Sequence, residues 1–246
     1  MMLFVSPVAL GLTADELADK NVEARGGIDK LRAIQSLRLS GTLSLNSGPN
    51  GGALKLDYVM RVDKPHSVRY EAQLQGLTQV QAFDGAQAWQ INPFQGRKDP
   101  ENLSADDAKG MGEDVADVVG ALVDYKEKGY RLDYLGTEDV DGTEAHKVRL
   151  TRPNGDLLYV YLDPDYFLEI RTISTRIEHG VPNETVTDFG DYEKVNGVYL
   201  PLAMETGPKG STDRQKIQFD KAEINVAKDD TLFQFPTPRA AASAGK

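Results

Sequence analysis

The stretch Leu103–Gly129, LSADDAKGMGEDVADVVGALVDYKEKG, is the long interior segment with a helical signature in a chain otherwise patterned as strands. Met111, Val115, Val118, Val119 and Leu122 recur at the spacing of one helical face, and Asp106, Asp107, Glu113, Asp114, Asp117 and Asp124 occupy the rest. Ser104 followed by Asp107 has the form of a capping box, and Lys126, Lys128 and Gly129 form a stop. Gly110, Gly112 and Gly120 each cost about 1 kcal/mol relative to alanine in a helix interior. The spacing therefore predicts a helix broken near Gly110–Gly112 that stands only with its apolar face resting on something. The remainder of the chain has to supply that surface.

Upstream, Thr13 with Glu16 forms a second capping box. It opens a helix with Leu17, Ala24, Ile28, Leu31 and Ile34 as its stripe, interrupted at Gly26-Gly27 to give a kink or two short helices. From Leu37 the period changes to two. Leu37, Leu39, Leu43 and Leu45 alternate with Arg38, Ser40, Thr42 and Ser44, and Leu54, Leu56, Tyr58, Met60 and Val62 continue the pattern. Val68, Tyr70, Ala72 and Leu74 follow, and Asp84-Gly85 marks a hairpin whose second strand carries Trp89 and Ile91. Beyond the helical insert, alternating segments separated by Asp141-Gly142, Asn154-Gly155 and Pro164-Asp165 run to about Val226. About ten or eleven antiparallel strands are expected in one curved sheet spanning a single domain over 13–236, with the insert 103–129 as a helical cover. Curling places the apolar faces on the concave side and the charged faces outside. Two readings of that concavity stay open: a hydrophobic pocket with a lid, or a core filled by the helices.

The bulk composition excludes several functions. Acidic residues number 38 against 28 basic ones, which argues against a nucleic-acid surface and against docking on anionic headgroups by charge. No cysteine is present, so there is no disulfide framework, thiolate metal site or thiol nucleophile. The apolar run in residues 1–12, MMLFVSPVALGL, is too short to span a bilayer, and no stable membrane insertion is expected. It matches the apolar core of a cleaved secretory signal that lacks a basic leader, which predicts export. The tail 237–246 has the composition of a disordered end.

Chemistry-bearing patterns are sparse. His66, His146 and His179 are isolated, without metal or triad spacing. Gly110-Met111-Gly112 has Val115 where a dinucleotide fingerprint needs its third glycine, and Asp163-Pro164-Asp165 lacks the glycine and glutamate of a calcium loop. No G-x-S-x-G elbow occurs. No catalytic set, metal site or cofactor is expected, and the chain is not read as an enzyme.

The segment Val80–Phe94, VQAFDGAQAWQINPF, resembles the strand–DG–strand–Trp…Asn-Pro-Phe signature of the LolA-like family of outer-membrane lipoprotein-sorting proteins. Val62-Asp63-Lys64-Pro65-His66 with Val68-Arg69-Tyr70 is similar to the strand end of that family. Gly26-Gly27, Leu122-Val123-Asp124-Tyr125, Val195-Asn196-Gly197-Val198 with Leu200-Pro201, and Leu232-Phe233 with Pro236 extend the likeness over most of the chain. The resemblance implies a half-closed antiparallel barrel with a helical lid over an apolar cavity for acyl chains. It implies a periplasmic location, lipid or acylated lipoprotein as cargo, and an inner-membrane transporter and an outer-membrane acceptor as partners. On this reading Leu43, Leu45, Leu56, Tyr58, Met60, Tyr70 and Trp89 of the strands, with Met111, Val115, Val118, Val119 and Leu122 of the lid, line the cavity. The family's lid-bonding arginine before the proline corresponds to Lys64, a point donor without the planar fork, so a lid contact there is weaker or differently made. The competing expectation is a non-enzymatic interaction module with a filled core.

Overall fold

The computed structural model describes residues 11–46, 52–178 and 180–236. The expected signal segment, apart from its last two residues, and the tail 237–246 lie outside the described residues, as does His179. Strands β1 (Ser36–Asn46), β2 (Ala53–Asp63), β3 (Ser67–Leu74), β4 (Leu77–Phe83), β5 (Ala88–Asn92) and β6 (Arg97–Asn102) form the first antiparallel series. The second comprises β7 (Arg131–Val140), β8 (Thr143–Thr151), β9 (Leu157–Leu162), β10 (Glu169–Glu178), β11 (Val181–Val195), β12 (Val198–Pro208) and β13 (Gln215–Ile224). All thirteen make one curved open sheet in the order β6-β5-β4-β3-β2-β1-β13-β12-β11-β10-β9-β8-β7. That exceeds the ten or eleven expected. β6, RKDPEN, has no apolar alternation and contains Pro100, which an edge strand tolerates because its outer side needs no ladder hydrogen bond.

This order explains why a helical cover exists. β6 and β7 lie on opposite edges of the sheet, yet they are consecutive in the chain. The segment joining them must cross the sheet. Helix α3 (Ala105–Asp117) begins that crossing, and turns carry the chain from Val118 to Gly129. The expected break at Gly110–Gly112 does not occur. A Cβ on Gly112 would lie 3.4 Å from Phe83 and one on Gly110 3.2 Å from Arg176 Nη1, so these glycines let the helix settle closely onto its neighbours. Tertiary packing overrides their poor helix propensity. The helix ends instead before Gly120, whose φ of +114° and tight approach to Arg25 exclude a side chain. The expected continuation to Gly129 is replaced by turns, one of them closed by the Gly129 amide donating to Lys126 O at 3.0 Å.

Both predicted capping boxes form, at Thr13/Glu16 and Ser104/Asp107. Gly26-Gly27 divides the first helical segment into α1 (Ala14–Ala24) and α2 (Ile28–Arg32). No helix among the described residues is long and apolar enough to cross a membrane.

The core has several parts. The largest joins β1–β3, Phe83 and Ala88 with β12 and β13 (Leu200, Phe219) and with Met111, Val115 and Val119 of the insert. A second joins Leu17, Leu122 and Tyr125 to Val148, Leu150, Leu158 and Leu162. A third lies on the convex side, where the C-terminal segment packs on Val80, Ala82 and Trp89. At the end of β2, Asp63 is buried with neither carboxylate oxygen hydrogen-bonded. Burial raises its pKa, and the nearby Asp229 amide, Lys228 and Arg61 offset only part of that. A raised carboxyl pKa means stability is greatest below the unfolded-state value and falls as pH rises through the folded value. Asp63→Asn is therefore expected to raise the melting temperature at pH 7 and to lose that advantage below about pH 4, as paired thermal melts would show.

Candidate functional site

Strand register decides which side chains face inward. Leu43 pairs with Leu56, Leu39 with Met60 and Leu45 with Leu54, while Met60 and Tyr58 pair onward with Tyr70 and Ala72. Period-two alternation puts all of these on the concave face. Together with Ile217, Phe219, Leu200 and Met204 they form one wall of a cavity of about 840 Å³, partly open to solvent. That volume lies within the range of about 300–1,000 Å³ found for small-molecule sites.

Seven of the expected lining residues face this space: Leu43, Leu45, Leu56, Tyr58, Met60, Tyr70 and Val118. Five do not. Met111, Val115 and Val119 point the stripe of the insert into the main core, and Leu122 lies in the second core beneath α1. The stripe meets the sheet and is consumed as packing. Leu122→Asp is consequently expected to unfold the protein rather than to block a cavity selectively, by burying a charge against Leu17 and Leu150; circular dichroism would show loss of the sheet signal. Trp89 is placed outside altogether. The Phe83↔Ala88 register makes it oppose Ala82 on the convex face. There its indole Nε1 donates to Phe233 O at 2.7 Å, Phe235 meets the ring edge-on at 6.2 Å, and the Arg69 guanidinium lies 5.6 Å from its centroid. Trp89 anchors the C-terminal segment.

What the lid turns toward the cavity is mainly charge. Glu113, Asp114 and Asp117 of α3 line it beside Val118. Two arginines distant in sequence hold this row, Arg152 just past the end of β8 and Arg176 on β10. Arg152 Nη2 donates to Asp117 Oδ2 at 2.6 Å and Nη1 lies 3.3 Å from Glu113 Oε2. Arg176 Nε donates to Glu113 Oε2 at 2.8 Å and Nη2 to Asp114 Oδ1 at 3.1 Å. The Tyr70 hydroxyl donates to Asp114 Oδ2 at 3.2 Å, tying the lid to the apolar wall. Lys128 and the Tyr130 hydroxyl add donors to Asp117. Burial and the Asp117 carboxylate push the Tyr130 phenol up to about 12, so it stays a donor at neutral pH. This latch was not legible locally, because Arg152 and Arg176 follow their partners by 35 to 63 residues.

Lys64 sits elsewhere. Burial, then the neighbouring ammonium of Lys128, hold its pKa below the ordinary lysine range, with Asp124 partly opposing them. It therefore lies near the trailing turns of the insert, whereas α3 itself is bound by Arg152 and Arg176. Also lining the cavity, Arg25 Nη1 and Glu169 Oε1 form a buried pair at 3.3 Å, and the Tyr192 hydroxyl donates to Glu169 O at 2.9 Å. His146 has a packing role, with Nδ1 2.9 Å from the Tyr134 hydroxyl and its ring stacked 6.0 Å from Phe167. Asp163 caps a turn through Oδ1, which accepts from the Asp165 and Tyr166 amides. Among the described residues no group of three or more His, Cys, Asp or Glu could hold a metal ion.

The concave face also corrects the simple inside-apolar expectation. On β10–β12 it carries Thr172, Ser174, Thr185, Thr187 and Thr206 in place of aliphatic side chains.

Neither protein-family profiles nor curated protein sequences give a match. Solved structures do. A LolA superfamily protein from Nitrosomonas europaea superposes with a TM-score of 0.60 at 12% identity, over 91% of this chain and 98% of that one. A putative outer membrane lipoprotein-sorting protein domain from Vibrio parahaemolyticus gives 0.58 at 12%, over 89% and 95%. A DUF1329 family protein from Desulfovibrio piger gives 0.53 at 16%, over 90% and 97%. The curved open sheet with its helical cover is thus the fold of LolA superfamily proteins.

Proposed function

We propose that the protein is a carrier of lipid or lipoprotein acyl chains in the cell envelope, holding its cargo in the cavity beneath α3. The observation that carries this reading is the half-open space of about 840 Å³ between an apolar sheet wall and a latched cover. Shielding hydrocarbon is worth roughly 0.8 kcal/mol per methylene, so one long chain contributes on the order of 10 kcal/mol without any headgroup contact. The latch supplies the complementary property. On this reading uptake and release require the ion pairs of the cover to separate and the packing of Met111 and Val115 on the sheet to loosen, a motion of α3 short of unfolding.

On this reading the protein works in the periplasm, receives cargo from an inner-membrane transporter and delivers it to an outer-membrane acceptor. It is a binder and not an enzyme. Mass spectrometry of organic extracts from protein purified out of its native envelope tests the proposal. Acyl lipid close to one equivalent per chain is expected, and repeated recovery of lipid-free protein would refute it.

A further inference from the structure

One wall of the cavity is apolar, and the wall beside it is hydroxylated in register. Thr172 of β10 pairs with Thr187 of β11, Thr187 with Thr206 of β12, and Thr206 with Gln215 of β13. Ser174 pairs with Thr185 in a second row. All six residues line the cavity. The Thr187 and Thr206 hydroxyls lie 2.9 Å apart, while those of Thr172, Ser174 and Thr185 have no partner among the described residues. A merely solvated sheet face would also be polar. Here, however, the row shares the cavity with aliphatic side chains under the same cover.

A second observation comes from β5. Asn92 is 7% exposed, lines the cavity, and leaves Oδ1 without any hydrogen bond. A buried acceptor left unmade costs about 1–3 kcal/mol, which a ligand hydroxyl would recover. Charge excludes the usual alternative. The three guanidiniums lining the space, Arg25, Arg152 and Arg176, are each paired with carboxylates. Five carboxylates line it against those three cations. Among the described lining residues an anionic headgroup would meet no unpaired guanidinium and net negative charge.

Building on the carrier reading, we infer that the cargo is an acyl lipid whose headgroup is uncharged and rich in hydroxyls, a sugar or polyol ester, seated on the Thr172–Thr187–Thr206 row. The test uses the full chain, delipidated, with a glucosyl diacylglycerol and a phosphatidylglycerol of identical acyl chains. The glucosyl lipid is expected to bind at least tenfold more tightly. A triple change, Thr172→Val, Ser174→Ala and Thr187→Val, is close to isosteric and should weaken glucosyl-lipid binding at least tenfold while leaving diacylglycerol binding intact, with circular dichroism confirming the fold. Equal binding of the two lipids by the unaltered protein overturns the headgroup assignment and leaves the carrier reading standing. So does glucosyl-lipid affinity that is undiminished by the triple change. Failure of every lipid, diacylglycerol included, removes the carrier reading and this inference with it.

Discussion

Met60→Asp is expected to lower the lipid content of purified protein at least tenfold while leaving the sheet intact. Met60 lies in the middle of β2, between Leu39 and Tyr70, and its side chain lines the cavity while remaining only partly buried. In the empty protein an aspartate there can stay hydrated through the opening. Under an acyl chain it cannot, and an unpaired carboxylate desolvated against hydrocarbon costs several kcal/mol. Each 1.4 kcal/mol is a factor of ten in affinity. The penalty therefore falls on the loaded form. Trp89→Leu supplies the contrast. That ring is packed on the convex face against the C-terminal segment, so its loss should reduce stability and leave lipid per folded molecule unchanged. Lipid-to-protein ratios by mass spectrometry, read beside thermal melts, separate the two. Undiminished lipid in a folded Met60→Asp protein would show that the cargo, if any, lies elsewhere.

The contrast between Met60 and Trp89 also marks what the sequence could convey. Alternation within β1, β2 and β3 identified one face of each strand, and Leu43, Leu45, Leu56, Tyr58, Met60 and Tyr70 all face the same space. Parity across a turn is harder. The tight turn after Phe83 pairs it with Ala88, so the residue after Ala88 falls on the opposite face from Phe83. Counting through Asp84-Gly85 would have put Trp89 outside. The helical stripe was legible as a stripe, but its partner surface was not. Met111, Val115 and Val119 met the sheet and vanished into the core, while the acidic row came to face the cavity. No local pattern announces that Glu113 will meet Arg152 and Arg176. A hint existed in Arg176 itself, which shares its strand face with Thr172 and Ser174 and breaks an otherwise uncharged row.

Arg152→Met is expected to destabilise the protein by about 3–5 kcal/mol, the range for breaking a buried ion pair from one side. The arginine side chain is 5% exposed, and its partners Glu113 and Asp117 are 10% and 13% exposed. Its removal leaves Glu113 to Arg176 and Asp117 to Lys128, one cation for each of two carboxylates that water reaches poorly. At this chain length each kcal/mol moves the melting temperature by roughly 2–4 °C, so the shift should be large. Adding Glu113→Gln and Asp117→Asn to Arg152→Met should restore most of the loss, because uncharged amides no longer demand a cation. Arg176→Met should behave differently. That side chain is 23% exposed, one of its partners, Asp114, is 45% exposed, and Glu113 keeps Arg152. A small change in melting temperature is expected, with faster amide exchange across α3 and quicker lipid exchange, because the cover loses one of its two arginine holds while the core beneath it stays packed. An Arg152→Met protein melting within 1 kcal/mol of the parent would mean the acidic row is held by solvent and not by these arginines, and the latch would have to be sought among the apolar contacts of Met111, Val115 and Val119.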